Sequence, residues 1–463
     1  MPRNRWVRRI AIGLATGFVL LVVSAFYSRH ATRQAGLERL EATTARLDAT
    51  DSRWQFDLVL ADCGSLPDNQ NGALLVPRFK AALVGREFTP VRPGPTKASV
   101  FEGVPPNHVL DDEGAAALNL ALHGNDAALV VARSFKDYPR GLRRYAYNPD
   151  FISVLLPDVQ ETQQIVAMLD AEAERLIRDG RPGAALELVR AMLNAGRSID
   201  GETFLVSSLI RSACNTKTVR RIERTFALSL PKGEATELRA ALLSESNADH
   251  FWAGLRMDRA GVGMLMTNLR TGRLSVALVS AIAGKPGSAT PSLQDHVQAW
   301  VREPHLPGDQ ATFLETITQA YEVRHLPEHE QRAALKAVPP PPPGPGTELT
   351  RLLFPKLNKL HDAGLRAKAQ LRCAAVGLAV ERFRQIRGRW PTSLEEIPKG
   401  ILPAVPLDPF DGRPLKYVQR EDGVTVYSVG GDEQDNGGTI NDKAKPTDPG
   451  QDVGFRLYNP DAR

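Results

Sequence analysis

The chain has 463 residues, 42% of them hydrophobic, enough for two or three domains with real cores. Its 58 Lys and Arg against 53 Asp and Glu leave a net charge of +5. Several of the excess arginines crowd the N-terminus and no basic patch with interleaved aromatics follows, so a nucleic-acid partner is not expected. Cys63, Cys214 and Cys373 are odd in number and far apart, which excludes a disulfide framework and a CxxC metal site. Cys214 and Cys373 fall in helical patterns and read as buried small hydrophobes.

Residues 10–27, IAIGLATGFVLLVVSAFY, are uncharged. As a helix they reach ~27 Å, and adding Trp6 and Val7 brings the span to a ~30 Å hydrocarbon core. Trp6 and Tyr27 stand at the two ends, where amphipathic rings favour the interface. Arg3, Arg5, Arg8 and Arg9 precede the run, and Arg29 and Arg33 follow it. The positive-inside bias puts the N-terminus in the cytoplasm and the body outside, in the periplasm. Val23-Ser24-Ala25 also fits a signal-peptide cleavage site, but the apolar run exceeds a usual h-region and favours an uncleaved signal-anchor. Both readings export the body.

Residues 1–33 are thus an Arg-rich cytoplasmic tip and a transmembrane anchor, with its helix at about 7–27. Residues 34–111 follow as a juxtamembrane segment. Within it, 35–49 carries Leu37, Leu40 and Leu47 on one face and reads as a short separate helix leaving the membrane. The stretch 62–106 is rich in Pro, Gly and Asp/Asn, with a helical candidate at 73–83.

Residues 112–336 read as an irregular α-helical domain. The stripe Val159, Ile165, Met168, Leu169, Leu176 and Ile177 predicts a helix over 157–178, broken by DGRPG and followed by another from 184 to 195, an αα-hairpin. Small residues Ala184 and Ala185 favour close approach of the pair. Further helices are predicted at 203–230, 234–255, 260–269, 293–302 and 311–323. No second copy of the hairpin appears at a fixed spacing, so a repeat array is not expected. The run AVPPPPPGPG at 337–346 favours extended polyproline II, a semi-rigid spacer.

The last segment, 347–463, opens with a long helical pattern to Arg387, interrupted by Pro355 and stopped by Gly388. Thr392 with Glu395 offers a capping box. The stretch LPAVPLDPFDGRPLKY (402–417) has too many prolines for a helix and too many apolar residues for a solvated linker. It reads as an ordered strap, with Leu402, Val405, Leu407 and Phe410 packed on the long helix and Asp408 and Asp411 forming turns. Two runs of β-formers around Glu421-Asp422-Gly423 predict an antiparallel hairpin, and a last strand follows at 453–458. The fold class is therefore mainly α, with a C-terminal α+β module of one long helix and a small antiparallel sheet.

Candidate chemistry is sparse. His325-Leu326-Pro327-Glu328-His329 fits H-x-x-E-H, but Pro327 breaks the helix that a zinc site of this kind needs. Glu245, Asp249 and His250 cluster within one helical pattern, where an exposed polar face is expected ahead of acid–base work. Trp54, Trp252, Trp300 and Trp390 read as core. No catalytic residue is assigned.

The order of long helix, GRWPTSLEEI, LPAVPLDPFDGRPLKY, hairpin and YSVGGDEQDNGG resembles the soluble domain of the major pseudopilins of type II secretion systems, over residues 365–455 or so. The remaining chain resembles membrane-anchored bacterial proteins with the same LDATDxxW opening, a likeness that implies no activity. The pseudopilin resemblance implies calcium in the loop after the hairpin. Asp432 matches the family's G-x-D segment, and Asp435, Asp442, Asp448 and Asp452 fall in its variable remainder. A loop rich in Asp, Asn and Gly also suits a calcium ion's six to eight oxygens, or a plain solvated turn. Pseudopilins are cut after a Gly and begin Phe-Thr-Leu-Ile-Glu. Here Gly17-Phe18 lies inside the apolar run and Val22 takes the place of that Glu, so ordinary processing and packing into a pseudopilus are not expected. The expected role is a non-enzymatic structural or interaction protein with protein partners, linked to a secretion or pilus-like apparatus. The alternatives are a helical partner-binding scaffold unrelated to secretion, or a hydrolase with an unrecognised site.

Overall fold

A computed structural model of the chain describes residues 3–92, 99–142, 151, 157–200, 204–229, 236–275, 292–440 and 450–462. Its first helices are α1 (Arg3–Thr50), α2 (Phe56–Asp62), α3 (Leu75–Ala82), α4 (Asp112–Leu122) and α5 (Asp126–Ser134). Then come α6 (Pro157–Arg178), α7 (Pro182–Arg197), α8 (Leu205–Leu228), α9 (Thr236–Ser246) and α10 (His250–Arg270). The rest are α11 (Leu293–Arg302), α12 (Leu306–Glu322), α13 (Glu328–Ala337), α14 (Glu348–Leu353) and α15 (Leu357–Arg387). Strands β1 (Lys416–Arg420), β2 (Gly423–Ser428) and β3 (Val453–Tyr458) form one antiparallel sheet in that order.

Helix α1 joins the expected anchor and the expected juxtamembrane helix into one rod. Residues 28–34, SRHATRQ, hold neither Gly nor Pro, so nothing there stops a helix. Between Trp6 and Tyr27 its apolar side chains are bare. Among the described residues α1 is the one helix that alone is long and apolar enough to cross a membrane. Further along, Gly36, Leu40, Thr43 and Leu47 recur at helical spacing and are buried against α12. A Cβ on Gly36 would lie 2.8 Å from the Gly308 nitrogen, so the absent side chain lets the two helices close. Glu315 of α12 gathers Arg39, Thr43 and Arg46, and Glu303 gathers Arg29 and Arg33.

Among the described residues a small apolar core joins Leu365 and Ala369 to Phe410, Val429 and Val453, and three large ones organise the body. One joins α3 to α7, a second joins α1, α2, α10 and α12, and a third joins the outer faces of α7, α8 and α9 to α15 and the sheet. The α6–α7 hairpin forms as expected, with Gly180 left-handed at φ 70° and Ala185 fully buried. Helix 234–255 does not form as one piece. Asn247-Ala248-Asp249 ends α9, and α10 then runs unbroken through the expected gap at 256–259. Its glycines are contact points: a Cβ on Gly261 would meet the Phe151 ring, and one on Gly254 the Leu205 backbone. Residues 203, 230, 234 and 235, expected as helix, lie outside the described residues.

Prolines 339–343 form no helix or strand, as expected of the spacer. Leu335 before them and Leu349 after them belong to the same core. The long helix breaks at Pro355 into α14 and α15, and Gly388 ends α15 at φ 73°. At Gly377 the helix admits the Phe455 ring of β3, which a Cβ would meet at 2.5 Å. The expected capping box shifts by one residue: Glu396, not Glu395, accepts from the Thr392 nitrogen and hydroxyl, around a single 3₁₀ turn.

The strap at 402–417 buries Leu402, Phe410 and Leu415, while Val405 is half-buried. Leu407 departs from expectation and is 55% exposed. It bridges Pro414 in an extended pair, and alternation turns its side chain out and Asp408 in. Asp408 is buried and accepts from Phe410 N, Ser428 Oγ and Val429 N at 2.8–2.9 Å, locking strap to sheet. Asp408→Ala strands those donors and should cost about 2 kcal/mol in urea unfolding. An unchanged midpoint would refute the lock.

Candidate functional site

The loop after β2 places the expected calcium ligands at separate tasks. Asp432 accepts from Gly450 N at 2.8 Å, Gln434 N at 3.2 Å and Asn436 Nδ2 at 3.3 Å. Burial opposes its ionisation, but those donors hold its carboxyl below the usual range. Asp435 accepts from Tyr427 Oη and Gly437 N, each at 3.0 Å, and pairs with Lys416. Asp452 is buried and accepts from Gly438 N at 2.6 Å and Asn436 N at 3.3 Å. Burial pushes its carboxyl up. Asp442 and Asp448 lie outside the described residues. These carboxylates close the loop on itself, and among the described residues no group of three or more His, Cys, Asp or Glu is placed to hold a metal ion.

The H-x-x-E-H residues divide between two elements. His325 ends a 3₁₀ turn before Pro327, and Glu328 opens α13 and pairs with Lys368 at 2.8 Å and Arg372 at 2.6 Å. The Glu245 group also differs from expectation. Asp249 is exposed, but Glu245 is buried between α8 and α9, not on a solvated face. It accepts from Arg211 at 2.7 and 2.8 Å, Arg197 at 2.8 Å and Asn215 at 2.9 Å, with His250 Nε2 3.4 Å away. Burial alone would raise its carboxyl; Arg211 overcomes this and holds it well below the usual range. A carboxylate so held fixes helices and has no proton to exchange near neutrality. The cavity beside it, lined in part by His250, Trp252, Gln331 and His361, is about 40 Å³ and suits a few waters, not a substrate. Cys214 and Cys373 are buried as expected, and burial pushes the Cys214 thiol up to about 12.

A second buried network lies under the loop at 99–108. Glu174 on α6 accepts from Arg221 at 2.5 Å and Arg224 at 2.7 and 3.1 Å, and Asp170 accepts from Arg221 at 2.6 Å. Burial works against the Glu174 charge, yet the two guanidiniums bring its pKa down to about 2. Arg224 also donates to the carbonyls of Pro105 and His108, and the Phe101 ring covers both arginines. This pins the loop as the wall of a groove.

That groove, about 880 Å³, runs between the loop, the outer face of α8, the first half of α15, Ile440 of the β2–β3 loop and Arg456 of β3. Its walls are apolar at Val104, Pro105, Leu209 and Ile440. Two of its acids are engaged, Asp170 with Arg221 and Glu223 with Arg456 at 2.8 Å, while Glu102 on the loop is exposed. Lys217 and Arg220 are exposed, and neither has an acidic partner among the described residues. Arg366 faces them half-buried, and burial together with the Arg220 charge lowers its pKa. Such a groove suits an anionic segment with apolar side chains. Sequence reasoning did not find it, because its walls come from six separated parts of the chain.

Comparison of the chain with known protein families, with curated protein sequences and with solved structures finds no match.

Proposed function

We propose that the chain is a non-enzymatic, single-pass protein of the cytoplasmic membrane, with its N-terminus in the cytoplasm and its body outside, which holds a protein partner. The observation that carries this reading is the continuity of α1. Its first half is bare and apolar, and the same helix is then ion-paired and packed into α12, so the body is mounted on the anchor as one rigid unit. The groove beside α8 supplies a docking surface for an acidic, partly apolar segment.

The pseudopilin-like order of long helix, strap and small sheet supports association with a type II secretion or pilus-like apparatus, and calcium in the 432–452 loop belongs to that same proposal. A scaffold unrelated to secretion is the second reading, favoured by the share of the groove wall that α8 and the 99–106 loop supply. Because α15 and the sheet share a core with α8 and α9, the test uses substitutions instead of removing residues 347–463. Crosslinking in intact membranes should capture a partner with the parent chain, and Lys217→Glu with Arg220→Glu should reduce that capture about tenfold. Secretion-apparatus subunits among the captured proteins favour the first reading and other proteins the second. Undiminished capture by the double variant removes the groove from both.

A further inference from the structure

Helix α11 is built with its polarity reversed. Leu293, Val297, Trp300 and Val301 recur at the spacing of one helical face and are 81%, 56%, 55% and 51% exposed. The half-buried positions are Gln298, Ala299 and Arg302, and Arg302 pairs with Glu348 of α14. A helix that merely covers a water-soluble body turns its apolar stripe inward. Here the stripe is turned out and the opposite side is tied down.

Its place in the fold says what meets that stripe. The Arg29 guanidinium lies 4.0 Å over the Trp300 ring and donates to the Trp300 carbonyl, while Arg29 and Arg33 both pair with Glu303. Arg29 is two residues beyond Tyr27, where the bare apolar run of α1 ends. Trp300 is therefore fastened within ~3 Å of helix rise from the end of that run, at the depth where tryptophan partitions into a bilayer interface.

We infer that α11 is an interfacial helix that lies on the outer leaflet of the membrane, with Leu293, Val297, Trp300 and Val301 immersed at the headgroup–acyl boundary. The inference rests on the proposal that α1 spans the membrane. It adds a second foothold: with both α1 and α11 engaged, the body is fixed in orientation on the bilayer and does not swing from a single stalk. The occupant is lipid and not a peptide, because the Arg29 contact seats Trp300 of that stripe beside the end of the apolar run of α1.

The test uses the full chain carrying Cys63→Ser, reconstituted in vesicles of phosphatidylcholine and phosphatidylglycerol. Nitroxide labels are placed one at a time at Leu293→Cys, Val297→Cys, Val19→Cys and Leu120→Cys. Leu120 is 76% exposed on α4 and serves as the aqueous reference for an exposed apolar site. The expected result is that labels at 293 and 297 collide more with lipid-dissolved oxygen than with a water-soluble nickel complex, as at 19 and opposite to 120. Aqueous behaviour at 293 and 297 with a lipid-exposed label at 19 overturns the inference and leaves the anchor standing. Labels at 293 and 297 shielded from both reagents report a protein cover and also overturn it. An aqueous label at 19 overturns the anchor, and the inference with it.

Discussion

Replacing Glu174 by Ala is expected to lower the stability of the protein by about 3–5 kcal/mol in urea unfolding at neutral pH. The substitution leaves Arg221 and Arg224, 1% and 6% exposed, with their charges only partly answered by Asp170. A guanidinium taken out of water and deprived of its carboxylate costs several kcal/mol, far more than the intact pair contributes. The comparison that isolates this effect is Glu174→Leu and Asp170→Leu combined with Arg221→Leu and Arg224→Leu, since Asp170 would otherwise be left buried without its arginine. Removing both signs together should recover most of the loss. The pH dependence has a fixed sign. The folded pKa of Glu174 lies near 2, below the 4.5 of a free carboxyl, so its stabilisation is complete above about 4.5 and is lost as pH falls toward 2. The consequence reaches the groove, because Arg224 holds the Pro105 and His108 carbonyls. A Glu174→Ala protein as stable as the parent would show that the arginines find water, and that the wall does not depend on this carboxylate.

Most helices were legible because they bury one face, and one-face burial writes itself into residue spacing. The hairpin α6–α7, α3, α11, the stop at Gly388 and the three strands follow from local signals. The misplacements have local causes too. The expected break after the anchor has no residue to make it, while Asn247-Ala248-Asp249 is a break that apolar spacing alone conceals. Leu407 was misassigned because composition shows that a strap is half-buried without showing which residues face in. Only its pairing with Pro414 fixes that.

The candidate site was almost illegible. Glu245 and Glu174 look like ordinary charged positions on helices, and their burial follows from arginines 34 to 50 residues away. A signal was present: Arg211, Arg221 and Arg224 interrupt what would otherwise be the apolar side of α8. Charged residues on a buried face predict partners, though not which ones.

Lowering the pH from 7 to 4 should cost the parent protein about 3 kcal/mol more than it costs a His361→Gln variant. His361 is buried on α15, with the Phe251 and Trp252 rings 4.9 and 5.6 Å from its own. Its Nε2 meets Gln331 Oε1 at 3.3 Å, and its Nδ1 has no hydrogen-bond partner among the described residues. Burial pushes its pKa from 6.5 down to about 4. Asp362 and Glu328 work against that shift, and Lys368 and Arg332 with it. The unfolded chain thus takes up a proton near pH 6.5 that the folded protein refuses until about pH 4. Stability from the neutral ring is complete above 6.5 and drains away as pH falls through that window. A shift of this size converts to about 3 kcal/mol. Gln cannot titrate, and the other groups titrate alike in both proteins, so the difference between the two unfolding curves reads His361 alone. Parallel stability profiles from pH 7 to pH 4 would mean that the small cavity beside the ring already supplies a water able to carry the imidazolium charge.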